Sequence, residues 1–169
     1  MVEQIITDAI LSFASNAFMK GGEELGKNVA KDLYDKLKQL FKKEDHRVIL
    51  SNLRNDPNQL QISDKLNVAM IDLLTENESF PKEVVGIFEL MNVNVAILQV
   101  TYSTYVYVRY QYEQEHIKFS RSTGDSEDAC WRRIKAYERK MGSLSEKIRE
   151  LLAGNQHPPH PGPRLMTQN

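Results

Sequence analysis

Three places in the sequence carry side chains that could do chemistry. Cys130 stands where a helix is predicted to begin, and helix N-termini favour a reactive thiolate. Ser79 and Lys82 have the serine–lysine spacing of some acyl-transfer enzymes. His157 and His160 could contact a metal ion, because imidazole is a common metal ligand.

Each candidate lacks the neighbours that its chemistry needs. Glu127 and Asp128 precede Cys130 and disfavour a thiolate, so a buried structural cysteine is predicted. Ser79 and Lys82 fall at a predicted helix start, without the other groups of an acyl-enzyme site. The two histidines lie in a proline-rich stretch without a nearby carboxylate or cysteine, which does not fix ligand geometry.

The sequence as a whole contains no motif for catalysis. It has no glycine-rich phosphate loop, paired metal motif or nucleophile elbow. We therefore predict that the protein is not an enzyme and has no catalytic residue, cofactor or metal. An enzyme whose site is assembled from dispersed residues is the alternative. The net charge of −1 over 169 residues shows no basic excess, so a nucleic-acid partner is not expected.

The cysteine content and the apolar runs bear on location. A single cysteine cannot form an intramolecular disulfide, which suits a reducing cytoplasm. The N-terminal residues lack the basic region and cleavage site of a signal peptide. No run of about 18 uncharged apolar residues is present, so no transmembrane helix is expected. We predict a cytoplasmic protein.

Residues 1–91 are predicted to form a helical bundle from five amphipathic segments. Residues 2–19 are largely apolar, with Glu3 and Asp8 as their only charges, and Lys20-Gly21-Gly22 ends this first helix. The apolar stripes of the other four segments are Val29, Leu33, Leu37 and Leu40; Val48, Ile49 and Leu53; Leu66, Met70 and Leu73; and Val84, Ile87 and Phe88.

A segment rich in tyrosine and valine follows at residues 98–112, and it holds five of the seven tyrosines. Even positions from Leu98 are mostly apolar or aromatic and odd positions mostly polar, an alternation typical of a strand. Eight of the sixteen residues at positions 93–108 are β-branched, which disfavours a helix. We therefore predict a β segment within residues 92–122, with an all-α chain as the alternative.

The length of this segment is unusual for a strand. Fifteen residues would span about 50 Å at ~3.3 Å each, so the strand is expected to be bent or split. A hairpin could return through residues 117–119 after a turn at residues 113–116. No glycine lies between Gly86 and Gly124, however, which is a poor turn signal.

Residues 123–154 are predicted to form a long amphipathic helix. Its apolar residues alternate four and three positions apart, as in a heptad seam: Cys130, Ile134, Tyr137, Met141, Leu144, Ile148 and Leu151. Such a seam fits a coiled coil or a core helix packed on the bundle, and Gly142 with Ser143 could interrupt it. Residues 155–169 hold four prolines and are predicted to be an extended tail.

Charge is distributed unevenly along the chain. Residues 55–91 carry seven acids against Lys65 and Lys82, whereas residues 20–54 carry nine bases against six acids. Opposite charges of this kind could pair within the fold or between copies, or they could belong to solvated helix faces.

Several local features of residues 1–91 occur together. They are the apolar residues 5–19, a Gly21-Gly22 break, the amphipathic residues 31–41, the helix start at residues 55–58 and the polar turn at residues 74–80. In these features the segment resembles small helical N-terminal modules of bacterial conflict and cell-death proteins, the class compared with HeLo-type bundles.

This resemblance implies homotypic assembly and membrane attack through the first helix. One feature departs from the family pattern. Such modules are often followed by an amyloid-like motif rich in Asn, Gln and Gly, whereas here the following segment is rich in tyrosine and valine and lacks glycine.

An unpaired apolar strand invites pairing with another chain. We therefore predict a self-associating interaction or scaffold protein that forms a homo-oligomer, as part of a bacterial defence or signalling system, and that could also bind another protein. The predicted interface residues are Tyr102, Tyr105, Val106, Tyr107, Val108, Tyr110, Tyr112, Ile134, Met141 and Ile148. A membrane-acting cell-death effector is the alternative, with Ile10, Phe13 and Phe18 as its predicted membrane contacts.

Overall fold

The computed structural model describes residues 2–19, 24–56 and 60–153, and within these ranges the chain forms seven α-helices and no β-strand. In chain order they are α1 (Val2–Met19), α2 (Glu24–Leu40), α3 (Glu44–Asn55), α4 (Leu60–Glu76), α5 (Lys82–Leu90), α6 (Val95–Phe119) and α7 (Asp125–Ala153). The predictions of a mainly α protein and of an N-terminal helical bundle are confirmed.

Helix α1 lies at the centre of the bundle. It packs against α2, α3, α4 and α7, and Ile6, Ile10 and Ala14 are fully buried along it. The low charge of this helix is explained by its position, because an element surrounded by others has little room for charged side chains.

Helices α2, α3 and α4 pack on α1, and α5 packs on α2; all four bury the apolar stripes that their sequences predict. Val48 is an exception: it is 51% exposed, because Leu50 and not Val48 stands three residues before Leu53 on the buried side of α3. Other buried residues of these helices are Leu33, Leu37, Leu66, Met70, Leu74, Val84, Ile87 and Phe88.

The predicted β segment is wrong, since residues 95–119 form one continuous α-helix. A β-branched residue in a helix costs about 0.5 kcal/mol relative to alanine, whereas burying one large apolar side chain stabilises by about 1.5–3 kcal/mol. Tyr102, Tyr105 and Val108 of α6 are almost completely buried. Their packing therefore outweighs the local preference for a strand. Asn94 caps the helix by accepting a hydrogen bond of 3.2 Å from the Ile97 amide.

Helices α6 and α7 pack against each other as a long antiparallel hairpin. The connecting loop, residues 120–124, ends at Gly124, whose φ of +61° favours glycine. The predicted seam of α7 is confirmed, and the helix runs through Gly142 and Ser143 without a break. The facing seam on α6 has the same alternation of three and four residues: Leu98, Thr101, Tyr105, Val108, Tyr112, Glu115 and Phe119.

The two halves of this hairpin are held differently. Met141, Ile148 and Leu152 belong to the main apolar core, whereas the buried residues Cys130 and Ile134 lie outside it. The distal half therefore depends on contacts between α6 and α7 themselves.

The boundaries predicted near residues 91 and 122 fall in the two turns that flank α6. The predicted tail, residues 155–169, lies outside the described residues.

Candidate interaction surface

The side chains of residues 98–112 are divided between the core and the surface. Tyr102, Tyr105 and Val108 are 1%, 2% and 1% exposed, whereas Tyr107 and Tyr110 are 63% and 55% exposed. Tyr102, Tyr105 and Val108 were predicted as interface residues, but their side chains pack inside their own chain. Tyr107 and Tyr110 remain accessible to a partner.

Tyr102 joins α6 to two preceding elements. Its hydroxyl donates a hydrogen bond of 2.7 Å to the carbonyl oxygen of Leu74 in the last turn of α4, where helical carbonyls lack an intrahelical partner. Its ring stacks on Phe80, with 4.6 Å between the ring centroids. Burial raises the pKa of Tyr102 to about 12, so the hydroxyl remains a donor at neutral pH.

Arg109 ties α6 to the start of α1. Its Nη1 lies 2.6 Å from Oε1 of Glu3, whose side chain is 5% exposed. The guanidinium also lies over the ring of Tyr105, 5.9 Å from the centroid. Burial, followed by the charge of Glu3, raises the pKa of Tyr105 above its ordinary value. Arg109 is the one charged residue in positions 95–112, and its charge is directed towards the core.

A second series of residues spaced alternately three and four apart runs along α6, on the side turned away from α7. We call it the outer face of α6: Val100, Ser103, Tyr107, Tyr110, Gln114 and Ile117. Val100 is 69% exposed and Ile117 is 47% exposed. A helix with apolar residues on two sides is normally covered on both. Among the described residues, no helix covers the outer face.

A groove borders the outer face along one flank. Its volume is about 880 Å³, and it is formed by residues 75–79, which end α4 and begin the turn to α5, and by α6 residues that include half-buried Val106. Glu76, Glu78 and Glu113 line it and are exposed. Among the described residues none of these carboxylates has an ion-pair partner. Arg109 lines the groove as well, but its charge is paired with Glu3. The groove is therefore acidic and adjoins an uncharged, partly aromatic surface.

A polar network holds the distal end of the α6–α7 hairpin. Glu115 is 5% exposed and accepts hydrogen bonds from Lys118 Nζ at 2.8 Å and Arg133 Nε at 2.9 Å. The bonds from Lys118 and then Arg133 lower the pKa of Glu115 below its ordinary value. The same carboxylate raises the pKa of Lys118 and of Arg133. Half-buried Tyr112 lies nearby and packs edge-on against His116.

Cys130 belongs to this network and is buried, as predicted. Its sulfur accepts a hydrogen bond of 3.3 Å from Arg133 Nη2 and lies 3.7 Å from Ser122 Oγ. Within the described ranges, no group of three or more His, Cys, Asp or Glu side chains could hold a metal ion. Ser79 lines the groove, Lys82 begins α5, and the two histidines of the tail lie outside the described residues.

The other predicted site residues also lie in the interior. Ile134, Met141 and Ile148 are buried on the α7 seam that faces α6 of the same chain. Ile10 is fully buried and Phe18 is 8% exposed, while Phe13 is half-buried. Membrane contact through these residues would require α1 to leave the core. In the described ranges, the structure has no helix that is both long and apolar enough to cross a membrane.

Val100, Ser103, Gln114 and Ile117 were not among the predicted interface residues. Their spacing is present in the sequence, but an assignment to a strand separates residues that a helix places on one side.

The chain matches no protein-family model, no curated protein and no solved structure.

Proposed function

We propose that this protein is a non-enzymatic, self-associating interaction protein and that the outer face of α6 is its contact surface. The observation that carries the proposal is the exposure of Val100, Tyr107 and Tyr110 along one side of a helix. Exposed apolar groups that follow each other along an element are characteristic of interaction sites. Tyrosine is moreover one of the residues that contribute most to binding energy at interfaces.

The electrostatics of α6 support this proposal. Burying a charge at an interface is costly unless it is paired. Arg109, the one charge in positions 95–112, already has Glu3 as its partner. A partner that covers this part of the outer face would therefore displace water from apolar and neutral groups without leaving a charge unpaired.

The dimensions of α6 suit a helical partner. The helix has 25 residues, which corresponds to about 37 Å at ~1.5 Å per residue. Residues spaced three and four apart form a straight line that a second helix can follow along its length. Association of this kind would suit the bacterial defence or signalling role that the resemblance of residues 1–91 implies.

Sedimentation velocity over about 1–100 µM protein tests the proposal, because this range covers moderate interface affinities. The wild-type chain is expected to sediment faster as its concentration rises. A variant with Val100→Ser, Tyr107→Ser and Tyr110→Ser is expected to remain monomeric with an unchanged helical circular dichroism spectrum.

Val48→Ser is the matched control, since Val48 is 51% exposed on α3 and does not belong to the outer face. It should associate like the wild type. A wild-type chain that stays monomeric throughout, or a triple variant that associates as well as the wild type, would overturn the proposal.

A further inference from the structure

The exposed side of α7 is basic where α7 packs against the distal half of α6. Residues 131–140 contain five bases and one acid. We call Arg132, Lys135 and Arg139 the basic face of α7; their spacing of three and four residues places them on one side of the helix, and all three are exposed. Lys135 pairs with Glu138 at 2.8 Å. The described part of the chain supplies no ion-pair partner for Arg132 or Arg139.

The basic face and the acidic groove cannot meet within one chain. Ile134 and Met141 hold α7 against the inner side of α6, so the basic face points away from that helix. The groove opens beside the outer face, which is turned away from α7. Among the described residues, Glu76, Glu78 and Glu113 of the groove and Arg132 and Arg139 of the basic face are thus left without an ion-pair partner.

An antiparallel symmetric pairing of two outer faces would place like charges together. A two-fold axis between Tyr107 and Tyr110 makes the paired helices antiparallel, and in that arrangement the same flank of each helix faces the other. The groove of one copy would then lie beside the groove of its partner. Glu76, Glu78 and Glu113 would face their own counterparts, and such juxtaposition disfavours an interface.

We propose, building on the proposed function, that the outer face and acidic groove of one copy receive the basic face of α7 from a second copy. Glu76 and Glu78 at the groove wall pair with the arginines of the incoming helix. The rings of Tyr107 and Tyr110 provide surfaces on which a guanidinium stacks. The tyrosines supply most of the affinity, while the exposed charges mainly select the partner and its orientation.

This contact joins two different surfaces of the same chain and is therefore head-to-tail. Each bound copy still presents one free groove and one free basic face, so association continues beyond a dimer unless the geometry closes a ring. Because the selecting charges are exposed, salt weakens the contact.

Two variants that each lack one surface test the proposal by sedimentation velocity. The first, Tyr107→Ser/Tyr110→Ser, loses the outer face and keeps the basic face. The second, Arg132→Glu/Arg139→Glu, keeps the outer face and groove. Each alone is expected to self-associate at least about tenfold more weakly than the wild type. Mixed in equal amounts, they should form a discrete one-to-one complex, because one intact basic face meets one intact groove.

The control for charge reversal is Lys31→Glu/Lys38→Glu, at two exposed positions of α2, which should associate like the wild type. Thermal unfolding of every variant checks that the helices are intact. Raising the salt from about 50 to 500 mM should weaken wild-type association several-fold, whereas pairing of acidic grooves would be strengthened.

The outcomes distinguish a failure of the head-to-tail contact from a failure of the proposed function. If the tyrosine variant is monomeric but the arginine variant associates like the wild type, the head-to-tail contact is overturned and the outer face retains its role. If the mixed variants form no complex although the wild type associates, the head-to-tail contact is overturned as well. If the tyrosine variant associates like the wild type, or the wild type is monomeric, both proposals fall.

Discussion

The hydroxyl of Tyr102 donates a hydrogen bond of 2.7 Å to the carbonyl oxygen of Leu74, which lies 28 residues earlier in the chain. Because Leu74 stands in the last turn of α4, this bond holds the end of that helix against α6. Residues 75–79, which are the last residues of α4 and the turn after it, form one wall of the acidic groove. Tyr102, in the core, therefore helps to position the acidic groove, which Tyr107 and Tyr110 of the same helix line.

Removing the hydroxyl in Tyr102→Phe is expected to lower the free energy of unfolding by about 1 kcal/mol, the usual net value of one hydrogen bond. Tyr102→Ala should cost about 3–5 kcal/mol, because it also leaves a cavity beside Phe80. Urea unfolding measures both. Tyr107→Phe is the matched control, since its 63% exposed side chain should leave stability unchanged. Equal losses at the two positions would contradict this assignment.

The ion pair between Glu3 and Arg109 should stabilise the attachment of α1 to α6. Glu3→Gln is expected to lower the free energy of unfolding by about 2 kcal/mol, below the value for a fully buried pair because the Arg109 side chain is 28% exposed. Asp8→Asn on the same helix is the control, as Asp8 is exposed and should cost far less. Similar effects of the two substitutions, measured by urea unfolding, would argue against the ion pair.

The stability contribution of Glu115 should depend on pH. The pKa of Glu115 in the folded chain is lowered from its ordinary value of 4.5 by hydrogen bonds from Lys118 and Arg133. Its ionised form therefore stabilises the fold above pH 4.5, and this contribution is lost as the pH falls through the lowered folded value. Glu115→Gln should reduce the thermal midpoint at about pH 7, and the difference from the wild type should narrow in acid.

Glu113→Gln provides the comparison for Glu115, since Glu113 lies two residues away and is exposed. The thermal midpoint of Glu113→Gln should differ little from that of the wild type, both at about pH 7 and in acid. A gap between Glu115→Gln and the wild type that stays constant or widens towards low pH would contradict the expected linkage.

Val100→Ala should change stability and association in opposite directions. Val100 is 69% exposed, so alanine sacrifices little packing within the chain and gains about 0.5 kcal/mol of helix propensity. The same change removes apolar surface from the outer face of α6. We expect a higher unfolding midpoint in dilute solution together with weaker self-association by sedimentation. Loss of stability, or unchanged association, would count against the assigned role of Val100.

Sequence reasoning located α1 to α5 and α7 because each of these helices has one apolar side. It failed at α6, which is apolar on two opposite sides. The even positions 98–112 mix buried residues such as Leu98 and Tyr102 with exposed ones such as Val100 and Tyr110, which imitates the alternation of a strand. The spacing of three and four residues that is typical of a helix was present, but the many β-branched residues favoured the prediction of a strand.

The contacts that join distant parts of the chain leave no trace in local sequence patterns. Glu3 and Arg109 are 106 residues apart, and nothing in the spacing of either residue indicates the other. The acidic groove likewise combines residues 75–79 with α6, so it exists only after the helices have packed. The basic face of α7 is different, because all of its residues belong to one predicted helix and their spacing can be read from the sequence.

We propose above all that the outer face of α6 is covered when the protein associates. Hydroxyl-radical footprinting at low and high protein concentration tests this proposal residue by residue. We predict that modification of Tyr107 and Tyr110 falls as the concentration rises into the associating range, while exposed Val48 is modified equally throughout and buried Tyr102 stays protected. Unchanged modification of Tyr107 and Tyr110 in a sample that has demonstrably associated would contradict this proposal.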